Sequence, residues 1–301
     1  MFKLTFLGTS ASVPSAERNH PGLLIEAGGH RLLVDCGEGT QRQLLRAGAG
    51  FRRLERLLLT HAHFDHVLGI PGLFSTLRTR QNEELVTIHG SPGTLEIVTR
   101  MLAGLWGEGR APIPLEMVPL QPGRVLDAGE FVIDCFPVRH RDTDSYAFVF
   151  ETPARRHLRP DHLADLGVPD GPMRRELAEG RAIVLADGRT IVPENVLGPL
   201  ERGTKLVVVG DIETTDGLAD HVRDADLLVI EATFLQRDAA IARDYGHLTA
   251  AEAAALAAAN SVKQLVLTHI SGRYPDDEIL AEAVAIFPAS RIASDLATMT
   301  V

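Results

Sequence analysis

The sequence predicts an α/β protein. Three observations lead there: short apolar runs separated by glycine-rich turns recur in both halves of the chain, helical stretches fall among them, and the strand-rich organisation occurs twice. In the first half the expected strands are Lys3 to Leu7, Gly22 to Glu26, Arg31 to Val34 and Arg56 to Thr60. Helices are expected over Thr40 to Ala47 and over Thr94 to Leu105, the second after the turn signal Gly90-Ser91-Pro92-Gly93. From Val132 the apolar runs resume, with Val132 to Val138, Tyr146 to Phe150, Lys205 to Val209, Asp226 to Ile230 and Gln264 to Thr268. A last helix, Ala250 to Ala259, opens on Thr249-Ala250-Ala251-Glu252, the spacing of a capping box.

Between the halves, Thr152 to Arg202 has weak periodicity, with Pro and Gly throughout and arginines at 155, 156, 159, 174, 175 and 181. It is expected to be an arm inserted into a single domain spanning residues 1–301. Asp161, Asp165, Asp170, Glu176 and Glu179 are interspersed, so a charge-balanced solvated extension would also explain it.

At 301 residues and 45% hydrophobic, the chain can bury a sizeable core. A formal net charge of -10 excludes a globally basic nucleic-acid binder but leaves room for a local basic patch. Only Cys36 and Cys135 occur, which gives neither a disulfide framework nor a cysteine zinc pair, and a cytoplasmic setting is expected. The apolar run at the N-terminus breaks at Gly8, too early for a signal peptide or a membrane span, so no membrane partner is expected.

The chemistry concentrates in His61-Ala62-His63-Phe64-Asp65-His66, where four metal-ligand side chains follow the apolar run Leu57-Leu58-Leu59 within six residues. Imidazole with carboxylate suits zinc, while manganese or iron would also fit; one ion cannot use all four groups comfortably. Further ligands belong at the ends of other strands. His140, Asp211 and His269 are so placed, and Leu267-Thr268-His269 echoes Leu59-Thr60-His61. A single histidine after a strand is more often an ordinary hydrogen-bonded residue; together with the six-residue motif, these three complete a site for two metals. Asp211 is the natural bridge, and Asp65 can both bind a metal and accept a proton from the attacking water. His247 can donate a proton when oriented by Glu231, although alone these would read as a pre-helix residue and a solvated strand end. Ser271 and Arg273, just past His269, can grip a phosphate.

These residues resemble the ribonuclease Z family of the metallo-β-lactamase superfamily. The resemblance runs almost end to end, through Leu7-Gly8-Thr9, Pro14 with Arg18-Asn19, Asp35-Cys36-Gly37-Glu38-Gly39-Thr40-Gln41, the histidine motif, Gly69-Ile70-Pro71-Gly72-Leu73, Glu231-Ala232-Thr233-Phe234, Gly246-His247, and Thr268-His269 to Arg273-Tyr274. It implies a four-layer αββα sandwich with a protruding exosite arm, and removal of the 3′ trailer from precursor tRNA. It implies two Zn2+ ions, one held by His61, His63 and His140, the other by Asp65, His66 and His269, with Asp211 bridging. It makes Asp65 the general base and Glu231 with His247 the proton-donating couple. In the arm, Gly171-Pro172 resembles the exosite motif, so Gly171, Pro172, Arg174 and Arg175 are expected to contact tRNA, from one subunit of a homodimer to the other. Phe64, Ile212 and Ala16 stand where the family often has Gly, Thr and Lys, and Phe64 is expected to narrow the mouth of the site. Hydrolysis of a small phosphodiester or another small ester is the alternative activity.

Overall fold

The computed structural model describes residues 1–301. Two compact units emerge, Met1–Glu151 with Thr204–Val301, and Thr152–Gly203. The larger unit begins with β1 (Lys3–Gly8), β2 (Gly22–Ala27), β3 (His30–Val34), α1 (Thr40–Arg46), β4 (Leu54–Leu58), α2 (Phe64–Val67), α3 (Gly69–Thr79), β5 (Val86–Gly90), α4 (Pro92–Trp106) and β6 (Leu115–Pro119). It continues with β7 (Gly123–Asp127), β8 (Val132–His140) and β9 (Thr143–Glu151). The smaller unit holds β10 (Arg155–Leu158), α5 (Pro160–Asp165), α6 (Pro172–Ala178), β11 (Ile183–Val184), β12 (Thr190–Ile191) and β13 (Leu197–Glu201). The larger unit then resumes with β14 (Lys205–Val208), α7 (Ala219–Val222), β15 (Leu227–Glu231), α8 (Ala239–Tyr245), α9 (Ala250–Ala259), β16 (Leu265–Thr268), α10 (Asp276–Ile286), β17 (Ser290–Ile292) and β18 (Thr298–Thr300).

Two seven-stranded sheets, ordered β18-β1-β2-β3-β4-β5-β6 and β17-β16-β15-β14-β9-β8-β7, are built alike. In each, three antiparallel pairings give way to three parallel ones, β3 through β6 in the first and β14 through β17 in the second. Side-chain alternation explains the layering. Leu32, Val34, Leu206 and Val208 enter the core between the sheets, while Leu33 and Val207 face outward into cores shared with helices. Strands covered on both faces read as continuous apolar runs. On one outer face α1, α3 and α4 supply Leu44, Phe74 and Val98; on the other α7, α9 and α10 supply Val222, Ala254 and Ile279. The result is the expected αββα sandwich.

Element edges differ from expectation for local reasons. The helix expected from Thr94 starts at Pro92, because the Ser91 hydroxyl caps the Thr94 N–H at 3.1 Å and proline suits the first helical position. The turn signal there is a helix start. Thr249 and Glu252 form the reciprocal cap expected of them. The smaller unit, expected to be weakly patterned, has two short helices and two antiparallel strand pairs, β10 with β13 and β11 with β12, around Leu163, Leu177, Ile183 and Val196.

Candidate metal centre

The parallel strands deliver the site. β4 ends at Leu58, earlier than expected, and the chain continues without regular structure to His63, which precedes the single turn of α2 carrying Asp65 and His66. α2 and α3 are pressed onto the loop after β3: a Cβ on Gly69 would lie 2.0 Å from the Gly37 carbonyl oxygen, so only glycine fits. His140 is the last residue of β8, Asp211 follows β14, and His269 follows β16 in a left-handed conformation with φ of 53°. Asp35 shares that conformation, at φ 57°. Such backbone strain persists where the surroundings fix it, commonly at functional sites.

His61, His63, His140 and Asp211 converge as one candidate ligand group, and Asp65, His66 and His269 as another. Asp211 faces both. Its Oδ1 lies 3.4 Å from His66 Nε2 and 3.3 Å from His269 Nε2, while its Oδ2 lies 3.7 Å from His61 Nε2 and 3.8 Å from His140 Nε2. Asp65 Oδ2 sits 3.7 Å from His66 Nε2 and 3.5 Å from His269 Nε2. Buried His61 Nε2, His66 Nε2 and Asp211 Oδ1 have no hydrogen-bond partner. Orphaned atoms of this kind are costly unless something else satisfies them, and all three point into the convergence of ligand atoms. The donor set fits two divalent metals.

The outward nitrogens of the histidines are held. His66 Nδ1 donates to Asp35 Oδ2 at 2.8 Å, and His140 Nδ1 to the Gly246 carbonyl at 2.8 Å. His61 Nδ1 lies 3.0 Å from Thr60 Oγ1, whose hydroxyl reaches Asp35 Oδ2 at 2.8 Å. His269 Nδ1 lies 2.9 Å from Thr233 Oγ1, whose hydroxyl reaches Glu231 Oε2 at 2.7 Å. Such contacts fix the ring orientation and tautomer that a metal requires. Sequence reasoning missed Thr60 and Thr233 and gave Asp35 no role. A carboxylate at the end of β3, matching Glu231 at the end of β15, was the available signal.

Glu231 is fully buried and accepts hydrogen bonds from the Ile212 and Leu248 backbone N–H groups at 2.8 and 3.2 Å. It also holds His247 Nδ1 at 3.0 Å. Burial pulls the His247 pKa down, but the charge and hydrogen bond of Glu231 outweigh it and raise the value to about 9. For Asp65, burial pushes the pKa up, but the hydrogen bond and charge of His269, with the charge of His66, hold it well below the usual carboxylate range.

Beside these groups opens a cleft lined by Ser12, Phe234, Tyr245, His247, Ser271 and Arg273, among others. Ser271 and Arg273 therefore share a surface with His247. Phe64 is 70% exposed on α2 and is not among the residues lining the cleft; Ile212 is buried and Ala16 exposed. In the smaller unit Gly171 and Pro172 start α6, Arg174 is tied to Asp170 and the Val168 carbonyl, and Arg175 is paired with Glu179 at 2.8 Å.

Comparison with known proteins fits this geometry. Residues 2–158 match the family model described as anti-Pycsar protein Apyc1, and residues 193–270 the beta-lactamase superfamily domain. The metallo-β-lactamase fold protein YhfI from Bacillus subtilis superposes with a TM-score of 0.71 at 21% identity, covering 99% of this chain and 98% of that one. Human tRNase Z, short form, superposes with a TM-score of 0.69 at 24% identity, covering 99% of each chain. Fold and site thus define a metal-dependent hydrolase of the metallo-β-lactamase superfamily. Ribonuclease Z of Bradyrhizobium diazoefficiens is 76% identical over 295 residues, 98% of each chain, and that of Archaeoglobus fulgidus is 37% identical over 304 residues, covering 100% of this chain and 98% of the other. Within the superfamily, the chain belongs to the ribonuclease Z family.

Proposed function

We propose that this protein is a zinc-dependent endoribonuclease that removes the 3′ trailer of precursor tRNA by hydrolysing one phosphodiester. The end-to-end identity with ribonuclease Z sequences carries the substrate, and the two faces of Asp211 carry the chemistry. His61, His63 and His140 would hold one metal, Asp65, His66 and His269 the other, and Asp211 both. When bound, the metals supply Lewis-acid polarisation of the phosphoryl group and acidify the attacking water. Asp65, held by the Ser12 backbone N–H at 3.1 Å, takes the proton of that water. His247, when protonated against Glu231, gives its proton to the leaving 3′ oxygen, the carboxylate stabilising the charge before transfer. The tRNA leaves with a 3′ hydroxyl and the trailer keeps the phosphate.

The segment 152–202 is read as an exosite inserted in the hydrolase domain, with Gly171, Pro172, Arg174 and Arg175 toward tRNA and the arm of one subunit serving its partner in a homodimer. Arg174 and Arg175 are each paired with a carboxylate of their own unit, so exposed Arg155 is the better phosphate contact. No helix is long and apolar enough to cross a membrane; the cytoplasmic setting is proposed on the cysteines, both free and buried.

The test is zinc-loaded protein with a labelled precursor tRNA, product ends mapped, beside a variant in which Thr152–Gly203 is replaced by a short Gly-Ser linker. A Cβ on Gly203 would lie 1.7 Å from the Thr152 carbonyl oxygen, so the two ends already adjoin and a short linker closes the gap. Cleavage after the discriminator base is expected. The linker variant should lose tRNA cleavage far more than hydrolysis of bis(p-nitrophenyl) phosphate. Equal losses would reject the exosite, and no cleavage of tRNA by the intact protein, with diester turnover retained, would favour a small-ester hydrolase.

A further inference from the structure

We propose that Tyr245 is a stacking platform for a nucleobase flanking the scissile phosphate, a subsite that deepens the precursor-tRNA reading and rests on it. Tyr245 ends α8 with 57% of its surface exposed. Beside it lies Phe234, with ring centroids 6.4 Å apart and planes 26° apart, and Phe234 is itself buried. The Phe234 ring is in turn 6.2 Å from the His247 ring. Tyr245, Phe234 and His247 line one cleft with Ser271 and Arg273, so an aromatic face, a proton donor and a guanidinium open onto the same space.

The platform is fixed relative to the reacting groups. Gly246 terminates α8 in the left-handed conformation, with φ of 72°, and a Cβ there would meet the Arg141 side chain at 2.5 Å. Its carbonyl accepts the hydrogen bond of His140, a candidate metal ligand, and the next residue is His247. Tyr245 is thereby held one residue from a support of the metal site and two from the proton donor. An exposed aromatic ring, neighboured by a second ring and tied through the chain to a phosphodiester site, suits the flat face of an unstacked base, and every base offers one. Arg273 is exposed on the same cleft and can take a flanking phosphate.

The experiment is a two-by-two cycle on the intact, zinc-loaded protein: wild type and Tyr245→Ala, each with precursor tRNA and with the same RNA made abasic at the nucleotides flanking the cut. Tyr245→Ala should lower kcat/KM on the normal RNA by roughly five- to a hundredfold, the range that base stacking delivers. On the matching abasic RNA the loss should disappear, and Tyr245→Phe should retain the wild-type rate. An equal loss on both RNAs, or no loss on either, overturns the platform. The same cycle on a trinucleotide diester, with and without its bases, keeps the test alive should the wild type fail to cut tRNA: that failure rejects the tRNA reading, while a base-dependent Tyr245 effect on the short diester upholds the platform.

Discussion

The two halves of the sandwich use one device for different ends. At the end of β3, Asp35 accepts the Thr60 N–H at 2.8 Å, holds His66 directly, and reaches His61 through the Thr60 hydroxyl. At the end of β15, Glu231 accepts two backbone N–H groups, holds His247 directly, and reaches His269 through the Thr233 hydroxyl. Each buried carboxylate thus steadies one histidine by contact and another through a threonine. They differ in the directly held ring. His66 turns its free nitrogen toward Asp211 and Asp65, whereas His247 lines the open cleft. A duplicated support can therefore serve metal retention on one side and proton transfer on the other, depending on where the supported ring points.

Removing the group common to both halves should have the largest effect. Asp211→Ala deletes the oxygens facing both ligand groups, so metal analysis by plasma emission should find fewer than two metals per chain and turnover should fall to background. Two metals retained would mean that Asp211 does not bridge. Neutralising each buried carboxylate in turn separates the two roles. Glu231→Gln and His247→Ala should keep both metals while lowering kcat by about 10²- to 10⁴-fold, the usual contribution of a positioned acid. Asp35→Asn should instead weaken metal affinity by about 10- to 100-fold, with turnover largely recovered at saturating zinc. Loss of metal from His247→Ala would make that residue a ligand and erase the difference between the halves. Circular dichroism and urea melts on each variant separate these effects from misfolding.

Much of this was legible in the sequence because metal ligation demands particular side chains at particular places. His61 to His66 could be read from spacing, and His140, Asp211 and His269 from strand ends, and the structure brings all of them together. The supports were harder. A threonine after a strand is too common to mark a relay, and nothing in the spacing of Thr233 and His269, 36 residues apart, says that they touch. Phe64, expected to narrow the mouth, stands exposed as the first residue of α2 between His63 and Asp65, because the turn that aims His66 inward leaves that position outward. In the smaller unit short strands and helices lack a full period of pattern, so the interspersed acids could be seen but not which arginines they hold: Arg174 is paired with Asp170 and Arg175 with Glu179.

The smallest expected effects fall on the two threonines. Thr60→Val and Thr233→Val keep shape and remove one hydroxyl, leaving a histidine N–H without its acceptor and a carboxylate without one donor. An unsatisfied buried group costs about 1–3 kcal/mol, so each variant should lose stability of that order in urea melts. Glu231 keeps three other donors after Thr233→Val, and Asp35 keeps the Thr60 N–H and His66 after Thr60→Val. Neither carboxylate is stranded, so metal affinity should fall by only about tenfold in both variants, the low end for loss of a ligand support. Turnover at saturating metal should then divide them. Thr60→Val touches only ligands and should recover fully, while Thr233→Val loosens the carboxylate that charges His247 and should stay a few-fold below wild type. Equal recovery would show that the Glu231 and His247 pair is rigid without its threonine, and that the two relays differ only in the histidine at their end.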